Sequence, residues 1–91
     1  MHAKGWRCFL ELCLSSKDEK TLDEIFDLFL TAEERSSIET RCLLIKALLA
    51  QKRTQREISQ DLNVSIAKIT RGSNELNRIS PKLKQYLIDE L

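Results

Sequence analysis

The chain has 91 residues, of which 42% are hydrophobic and 32% charged, with only two glycines and one proline. This composition predicts one compact all-helical domain over residues 1–91 and argues against a barrel, a sandwich or a βαβ enzyme. A domain of this length buries a modest core, so we expect a second subunit to add buried surface.

The net charge of +1 hides an uneven distribution. Residues 1–40 carry five Lys/Arg against nine Asp/Glu, residues 41–86 carry ten against three, and residues 87–91 add two acids. A segment with a net charge of +7 is the electrostatic footprint expected where a polyanion binds. Nucleic acid is therefore the leading class of partner.

Three cysteines without CxxC spacing and a single histidine, His2, argue against a disulfide scaffold and against a metal site. No apolar run reaches the length of a membrane span, and Arg7 and Glu11 interrupt the pattern of a signal peptide. We therefore expect a soluble cytoplasmic protein that does not bind membranes.

Apolar residues recur at helical spacing in two segments before residue 31. They are Trp6, Phe9, Leu10, Cys13 and Leu14 in the first segment, and Leu22, Ile25, Phe26, Phe29 and Leu30 in the second. Both segments are predicted to be amphipathic helices, joined by the polar stretch SSKDEKT. Thr21 followed by Glu24 predicts a capping box at the start of the second helix.

Thr31 and Glu34 repeat the capping-box signature and open a third, longer helix, which is predicted to end near Gln51. Its apolar stripe consists of Ile38, Cys42, Ile45, Leu48 and Leu49. On that stripe Cys42 is expected to be a core residue rather than a reactive one.

Three further helices follow, and each has its own start signal. The signals are Thr54 with Glu57, then Ser65, and finally Ser80 with Pro81. Asn63 lies between the fourth and fifth helices, where a left-handed turn residue is needed. No strand pattern appears, so the predicted fold is all-α with six helices.

Residues 54–78 have the pattern of a helix-turn-helix: a short helix, a tight turn at Asn63, and a second helix with polar outer positions. Its predicted internal packing is formed by Ile58, Leu62, Val64 and Ile69. Ser59 is small where the two helices must approach each other. An ordinary helical hairpin would share these features, and the charge asymmetry favours the helix-turn-helix.

The outer positions of this segment carry donors and acceptors suited to phosphates and base edges. The predicted DNA-binding residues are Gln55, Arg56, Ser65, Ile66, Ala67, Lys68, Thr70 and Asn74. Lys52 and Arg53 extend the positive rim. Gly72, inside the second helix, costs ~1 kcal/mol relative to alanine, which indicates close approach by a backbone or a ligand.

The sequences QREI and SIAKITRGSN, preceded by LFLTAEER, together with a tryptophan that opens the first helix, resemble the bacterial tryptophan repressor family. The resemblance runs from Trp6 to Leu91, and ITRGSN is its most specific part. It implies an intertwined all-helical homodimer with two reading heads for operator DNA. It also implies L-tryptophan as the corepressor and no other cofactor.

The resemblance further implies a tryptophan site. Arg41 and Arg71 would flank the indole, Arg71 and Thr31 would hold the carboxylate, the carbonyls of Leu28 and Leu30 would take the ammonium, and Gly72 would leave room for the ring. Glu75 stands where the family has a small hydroxyl residue near the ammonium. A carboxylate there either grips the ammonium or repels the ligand's carboxylate or the DNA, and both readings stay open.

The sequence thus predicts a tryptophan-responsive repressor of tryptophan biosynthesis or salvage genes. The alternative within the same class is a helix-turn-helix regulator that is ligand-independent or answers another indole compound. A helical adaptor for an acidic protein is the hypothesis from a different class. An enzyme is not expected, because no catalytic pair, metal-ligand set or phosphate loop is visible.

Overall fold

The structure, a computed structural model, describes residues 3–91, and His2 lies outside them. The described chain contains six α-helices and no strand. They are α1 (Lys4–Ser15), α2 (Glu19–Phe29), α3 (Ala32–Ala50), α4 (Gln55–Leu62), α5 (Ile66–Arg78) and α6 (Pro81–Glu90). The predicted all-α fold with six helices is confirmed. Within residues 3–91, no helix has both the length and the apolar character needed to cross a membrane.

Local side-chain caps explain where most of these helices begin. Thr31 and Thr54 each form a complete capping box, with Glu34 and Glu57 respectively. Ser65 and Ser80 accept hydrogen bonds from the backbone three residues later. Each cap satisfies a backbone N–H that the first helical turn leaves unpaired. All four predicted starts are confirmed.

The predicted start of α2 was wrong. Asp18, not Thr21, is the N-cap: its carboxylate accepts a hydrogen bond from the backbone N–H of Thr21 at 2.7 Å, and the helix begins at Glu19. The two hydrogen bonds from Thr21 hold the pKa of Asp18 below its ordinary value. Aspartate is favoured over threonine at an N-cap, and capping at Asp18 adds residues to the start of the helix.

The chain divides into two compact units, residues 1–36 and 37–91. In the first unit, Phe9 of α1 stacks near Trp6 and meets Phe26 and Phe29 of α2, with ring centroids 5.3–6.2 Å apart. Arg35 forms ion pairs with two carboxylates of α2, Asp23 at 2.9 Å and Asp27. None of the described side chains of this unit is fully buried. A single domain over residues 1–91 stays a prediction.

The second unit contains the buried core. Its members are Leu44, Ala47, Ile58, Val64 and Ile69, with Leu48 and Leu62 packed against them. The four apolar residues predicted to lie between the helices of the helix-turn-helix all belong to this cluster, so that prediction is confirmed.

The predicted apolar stripe of α3 was partly wrong. Cys42 and Ile38 are exposed in this chain, whereas Leu44 and Ala47 are the buried residues of α3. Apolar residues occupy most positions from 42 to 50, so periodicity alone could not select the face that packs on α4 and α5.

Candidate nucleic-acid interface

The turn between α4 and α5 is fixed by its own hydrogen bonds. Asn63 adopts the left-handed conformation at φ 53° and ψ 48°, which asparagine tolerates better than most residues. The N–H groups of Asn63 and Val64 both donate to the carbonyl of Ser59. The Ser59 hydroxyl in turn donates to the carbonyl of Val64 at 2.6 Å. The turn therefore holds α5 in one direction relative to α4.

Two isoleucines lock the helices from inside. Ile58 of α4 is 1% exposed and Ile69 of α5 is 0% exposed, and Val64 of the turn is buried with them. Full burial of an isoleucine side chain stabilises a fold by about 1.5–3 kcal/mol. Packing of the inward face of α5 on α4 therefore fixes the direction in which its outward face points.

The start of α4 carries two of the predicted DNA-binding residues, Gln55 and Arg56, both exposed. The capping box at Thr54 and Glu57 orders this end, and its hydrogen bonds lower the pKa of Glu57. The hydroxyl of Thr70 on α5 lies 3.4 Å from Oε1 of Gln55 and donates to it. This contact connects the leading ends of the two helices and leaves the amide N–H groups of Gln55 available.

Six predicted DNA-binding residues lie on α5 or at its cap, and all are exposed. They are Ser65, Ile66, Ala67, Lys68, Thr70 and Asn74. Ser65 is the N-cap, and its hydroxyl accepts from the N–H of Lys68 at 3.2 Å. Ile66 is 47% exposed although it is a large apolar residue on the first turn of this helix. The structure therefore brings these residues to one outer surface of the second unit.

Positive charge dominates this surface. Among residues 3–91, no carboxylate forms an ion pair with Arg56, Lys68 or Arg71. Arg53, by contrast, pairs with Asp61 and so ties the segment before α4 to its last turn. This ion pair could not be predicted from the sequence, because opposite charges eight residues apart give no specific signal.

The predicted tryptophan-binding residues of α5 are consecutive or one turn apart. Arg71 is exposed, Gly72 is half-buried, and Glu75 pairs with Arg78 at 3.5 Å. A Cβ atom at Gly72 would lie 3.3 Å from Cδ2 of Leu44 and 3.5 Å from Cδ1 of Leu48. These short distances show that α5 packs closely on the leucines of α3 at Gly72.

The other residues assigned to tryptophan lie elsewhere on the chain. Arg41 is exposed on α3 in the second unit. In the first unit, Leu28 is 81% exposed in the last turn of α2, Leu30 is the C-cap of that helix, and Thr31 caps α3. Carbonyl groups at the end of a helix lack intrahelical partners, so they suit an ammonium donor.

An open cavity of about 200 Å³ lies between the C-terminal end of α3, helix α5 and helix α6. It is lined by Leu48, Leu49, Gln51, Ser73, Leu76, Asn77, Lys84 and Ile88. None of the residues assigned to tryptophan or to DNA contributes to it. Among residues 3–91, no group of three His, Cys, Asp or Glu side chains is placed to hold a metal ion.

Two helices locked at a tight turn, with a basic and exposed second helix, define a helix-turn-helix protein, a class that binds DNA through that second helix. The chain belongs to the Trp repressor family: the family model described as "Trp repressor protein" matches residues 4–91. The family is one of transcriptional repressors and not of enzymes.

Curated relatives agree with this assignment. A Trp operon repressor homolog of Chlamydia caviae is 53% identical over 83 residues, covering 91% of this chain and 82% of the relative. One from Chlamydia trachomatis serovar D is 46% identical over 87 residues, covering 96% and 93%. One from Haemophilus influenzae is 36% identical over 86 residues, covering 94% and 85%. The chain is accordingly a tryptophan-responsive transcriptional repressor.

Proposed function

We propose that this chain is a homodimeric repressor that binds L-tryptophan as its corepressor and then operator DNA through α4 and α5. The observation that carries the proposal is the locked helix-turn-helix of a Trp repressor family member, with Arg56 and Lys68 exposed and unpaired within residues 3–91. Such a protein would act in the cytoplasm, where the DNA of a bacterium lies.

The DNA contacts divide into positioning and reading. Gln55 and Arg56 at the start of α4 would donate to phosphates, which fixes the protein on the duplex without reading sequence. Ser65, Ile66 and the residues after them lead α5 into the major groove. Lys68 offers a donor to acceptors on guanine, and Ile66 offers an apolar contact for a thymine methyl group.

Exposed apolar side chains in the first unit support the proposed dimer. The first unit exposes Trp6 and Phe29 by about half, and Leu14 and Leu28 by 84% and 81%. Several large apolar side chains exposed on one small unit favour an interface with another protein. A second copy of the chain, intertwined as in the family, would cover them. Sedimentation equilibrium should then report twice the chain mass of 10.6 kDa.

The corepressor site would combine charge and stacking. Guanidinium groups of Arg41 and Arg71 would stack on the indole, and Arg71 with Thr31 would hold the carboxylate. The carbonyls of Leu28 and Leu30, which the resemblance assigns to the partner subunit, would accept from the ammonium. Gly72 would leave room for the ring.

Tryptophan would act by binding more tightly to the conformation whose two reading heads match successive major grooves. Linkage makes the effect reciprocal, so operator DNA must tighten tryptophan binding by the factor by which tryptophan tightens DNA binding, typically ~5 to 150-fold.

The test is a selection of duplexes from a random-sequence library with and without L-tryptophan, followed by anisotropy titration of a recovered duplex. We expect tighter binding with L-tryptophan, and weaker binding for Lys68→Ala. Lys17→Ala, an exposed lysine outside the interface, is the matched control. Coincident curves with and without tryptophan would refute corepression and favour the ligand-independent regulator. Failure to bind any duplex at low salt would refute the repressor itself.

A further inference from the structure

Arg53 differs from the other cations near the leading ends of α4 and α5. Among residues 3–91, Arg56 and Lys68 have no ion pair, whereas the guanidinium of Arg53 pairs with the carboxylate of Asp61. The contact is also a hydrogen bond, in which Nη1 of Arg53 donates to Oδ2 of Asp61. The charge of Arg53 is therefore directed at a group of the protein itself.

The ion pair draws the guanidinium of Arg53 along α4. Arg53 lies just before the N-cap Thr54, and Asp61 lies in the last turn of the helix. At 1.5 Å per residue, Gln55 and Asp61 are about 9 Å apart along the helix axis. The guanidinium thus lies beside the carboxylate of the last turn, whereas the proposed phosphate contacts belong to the first turn.

Asp61 occupies a position where a carboxylate is unfavourable unless a cation compensates it. The last turn of a helix carries partial negative charge, which repels an acidic side chain. Glu57 lies four residues earlier, and like charges at this spacing destabilise a helix. The capping hydrogen bonds are the main cause of the lowered pKa of Glu57; the charge of Asp61 raises this pKa and that of Arg53 lowers it further. Arg53 therefore interacts with both acids.

The ion pair can be removed without removing the fold. The side chains of Arg53 and Asp61 are 39% and 53% exposed. Ion pairs between exposed side chains contribute little to stability, and substitution of Asp61 also removes its repulsion of Glu57. Without Asp61, the guanidinium of Arg53 would be free to turn toward a phosphate at the first turn of α4.

Resting on the proposed repressor function, we infer that Asp61 is a positioning residue that withholds Arg53 from the DNA backbone. Carboxylate and phosphate are both anions that a guanidinium pairs with, so they compete for Arg53. Phosphate contacts carry no sequence information, so withholding one cation lowers the affinity for every duplex alike. The ion pair therefore limits sequence-independent binding and leaves recognition of bases to α5.

The experiment is anisotropy titration of a random-sequence duplex at salt concentrations from about 50 to 200 mM, with the full chain, Asp61→Asn, Arg53→Ala and the double variant. Each phosphate contact adds about 0.9 to the slope of log affinity against log salt. Asp61→Asn should steepen the slope by this amount, so that its affinity falls about 3.5-fold more over this range than that of the unsubstituted chain. Arg53→Ala and the double variant should keep the unsubstituted slope.

Asp89→Asn, which removes an exposed carboxylate from α6, is the matched control for the lost charge and should also keep that slope. An unchanged slope in Asp61→Asn would overturn the inference. An equally steep slope in the double variant would do the same, because the added contact would then not come from Arg53. A shallower slope in Arg53→Ala would show that Arg53 reaches a phosphate despite Asp61, which also contradicts the inference.

These outcomes are separate from failure of the proposed function. In each of them the chain binds DNA, so the repressor proposal stands. If the unsubstituted chain binds neither a random nor a selected duplex at low salt, both the inference and the proposed function fail. A thermal melt of each variant, which should match that of the unsubstituted chain closely, confirms that the slopes compare folded proteins.

Discussion

Truncation of two isoleucines on α5 should separate stability from DNA binding. Ile69 is 0% exposed and Ile66, three residues earlier on the same helix, is 47% exposed. Ile69→Ala deletes buried carbons from the cluster that joins α4 to α5. At ~0.8 kcal/mol for each lost methyl or methylene, plus the cavity left beside Ile58 and Val64, the cost is about 2–5 kcal/mol.

Ile66→Ala removes the same atoms from a surface position. We expect it to change the free energy of unfolding by less than about 1 kcal/mol, since the carbons are half in water already. It should nevertheless weaken binding to a selected duplex, because its methyl groups would contact DNA. The two variants are therefore matched in chemistry and opposite in their effects.

The assay is urea unfolding followed by circular dichroism at one fixed chain concentration, since a dimer's stability depends on concentration. Anisotropy titration of the duplex is run on both variants under conditions where each is folded. Equal losses of stability in Ile66→Ala and Ile69→Ala would refute the account of α5, in which one face is held by the core and the other is free to read DNA.

The remaining predictions concern the helix ends and the phosphates. Gln51 follows α3 with a φ of 54°, a left-handed conformation that glycine adopts without the steric cost of a Cβ atom. Gln51→Gly should therefore raise the free energy of unfolding in urea by roughly 0.5–1 kcal/mol. Gln60→Gly, inside α4, should lower it by a similar amount. Hydrogen bonds at helix starts lower the pKa values of Asp18, Glu34 and Glu57. The ionised carboxylates therefore stabilise the folded state above the ordinary carboxyl pKa, and this stabilisation is lost as the pH falls below roughly 4. A series of thermal melts at different pH values that shows no loss of stability there would contradict this. The logarithm of DNA affinity should fall linearly with the logarithm of salt concentration, and a flat dependence would exclude phosphate contacts.

Helix starts were predictable from the sequence wherever the cap is a contact between residues three apart. The boxes at Thr31 and Thr54 and the cap at Ser65 depend on such local geometry, so the pattern was sufficient. The start of α2 failed because two caps were available within three residues. Asp18 forms the longer helix and is the better N-cap residue by type, whereas the capping-box spacing of Thr21 and Glu24 favoured the later start.

Burial was less predictable because it depends on what else is present. Ile58 and Ile69 were found from their spacing, since their partners lie within the same short segment. Cys42 was expected in the core and is exposed in this chain. A periodic pattern shows which residues are apolar, whereas burial depends on which surfaces pack together: Leu28 is apolar and 81% exposed.

The site residues were predictable to different degrees. The basic outer face of α5 follows from helical spacing and charge, which the sequence displays directly. The tryptophan residues came from family resemblance alone, because an exposed arginine such as Arg41 has no distinguishing local pattern. Gly72 leaves no room for a Cβ atom without crowding Leu44 and Leu48, which lie more than twenty positions earlier in the sequence, so only the fold shows this close packing.

Isothermal titration of the full chain, of Arg71→Ala and of Arg56→Ala with L-tryptophan would show whether this repressor responds to tryptophan. We expect one tryptophan site per chain, which is lost in Arg71→Ala together with the stacking and carboxylate contacts. The site should be retained in Arg56→Ala, which should weaken only DNA binding. Absence of heat at millimolar tryptophan, or undiminished binding by Arg71→Ala, would contradict this expectation.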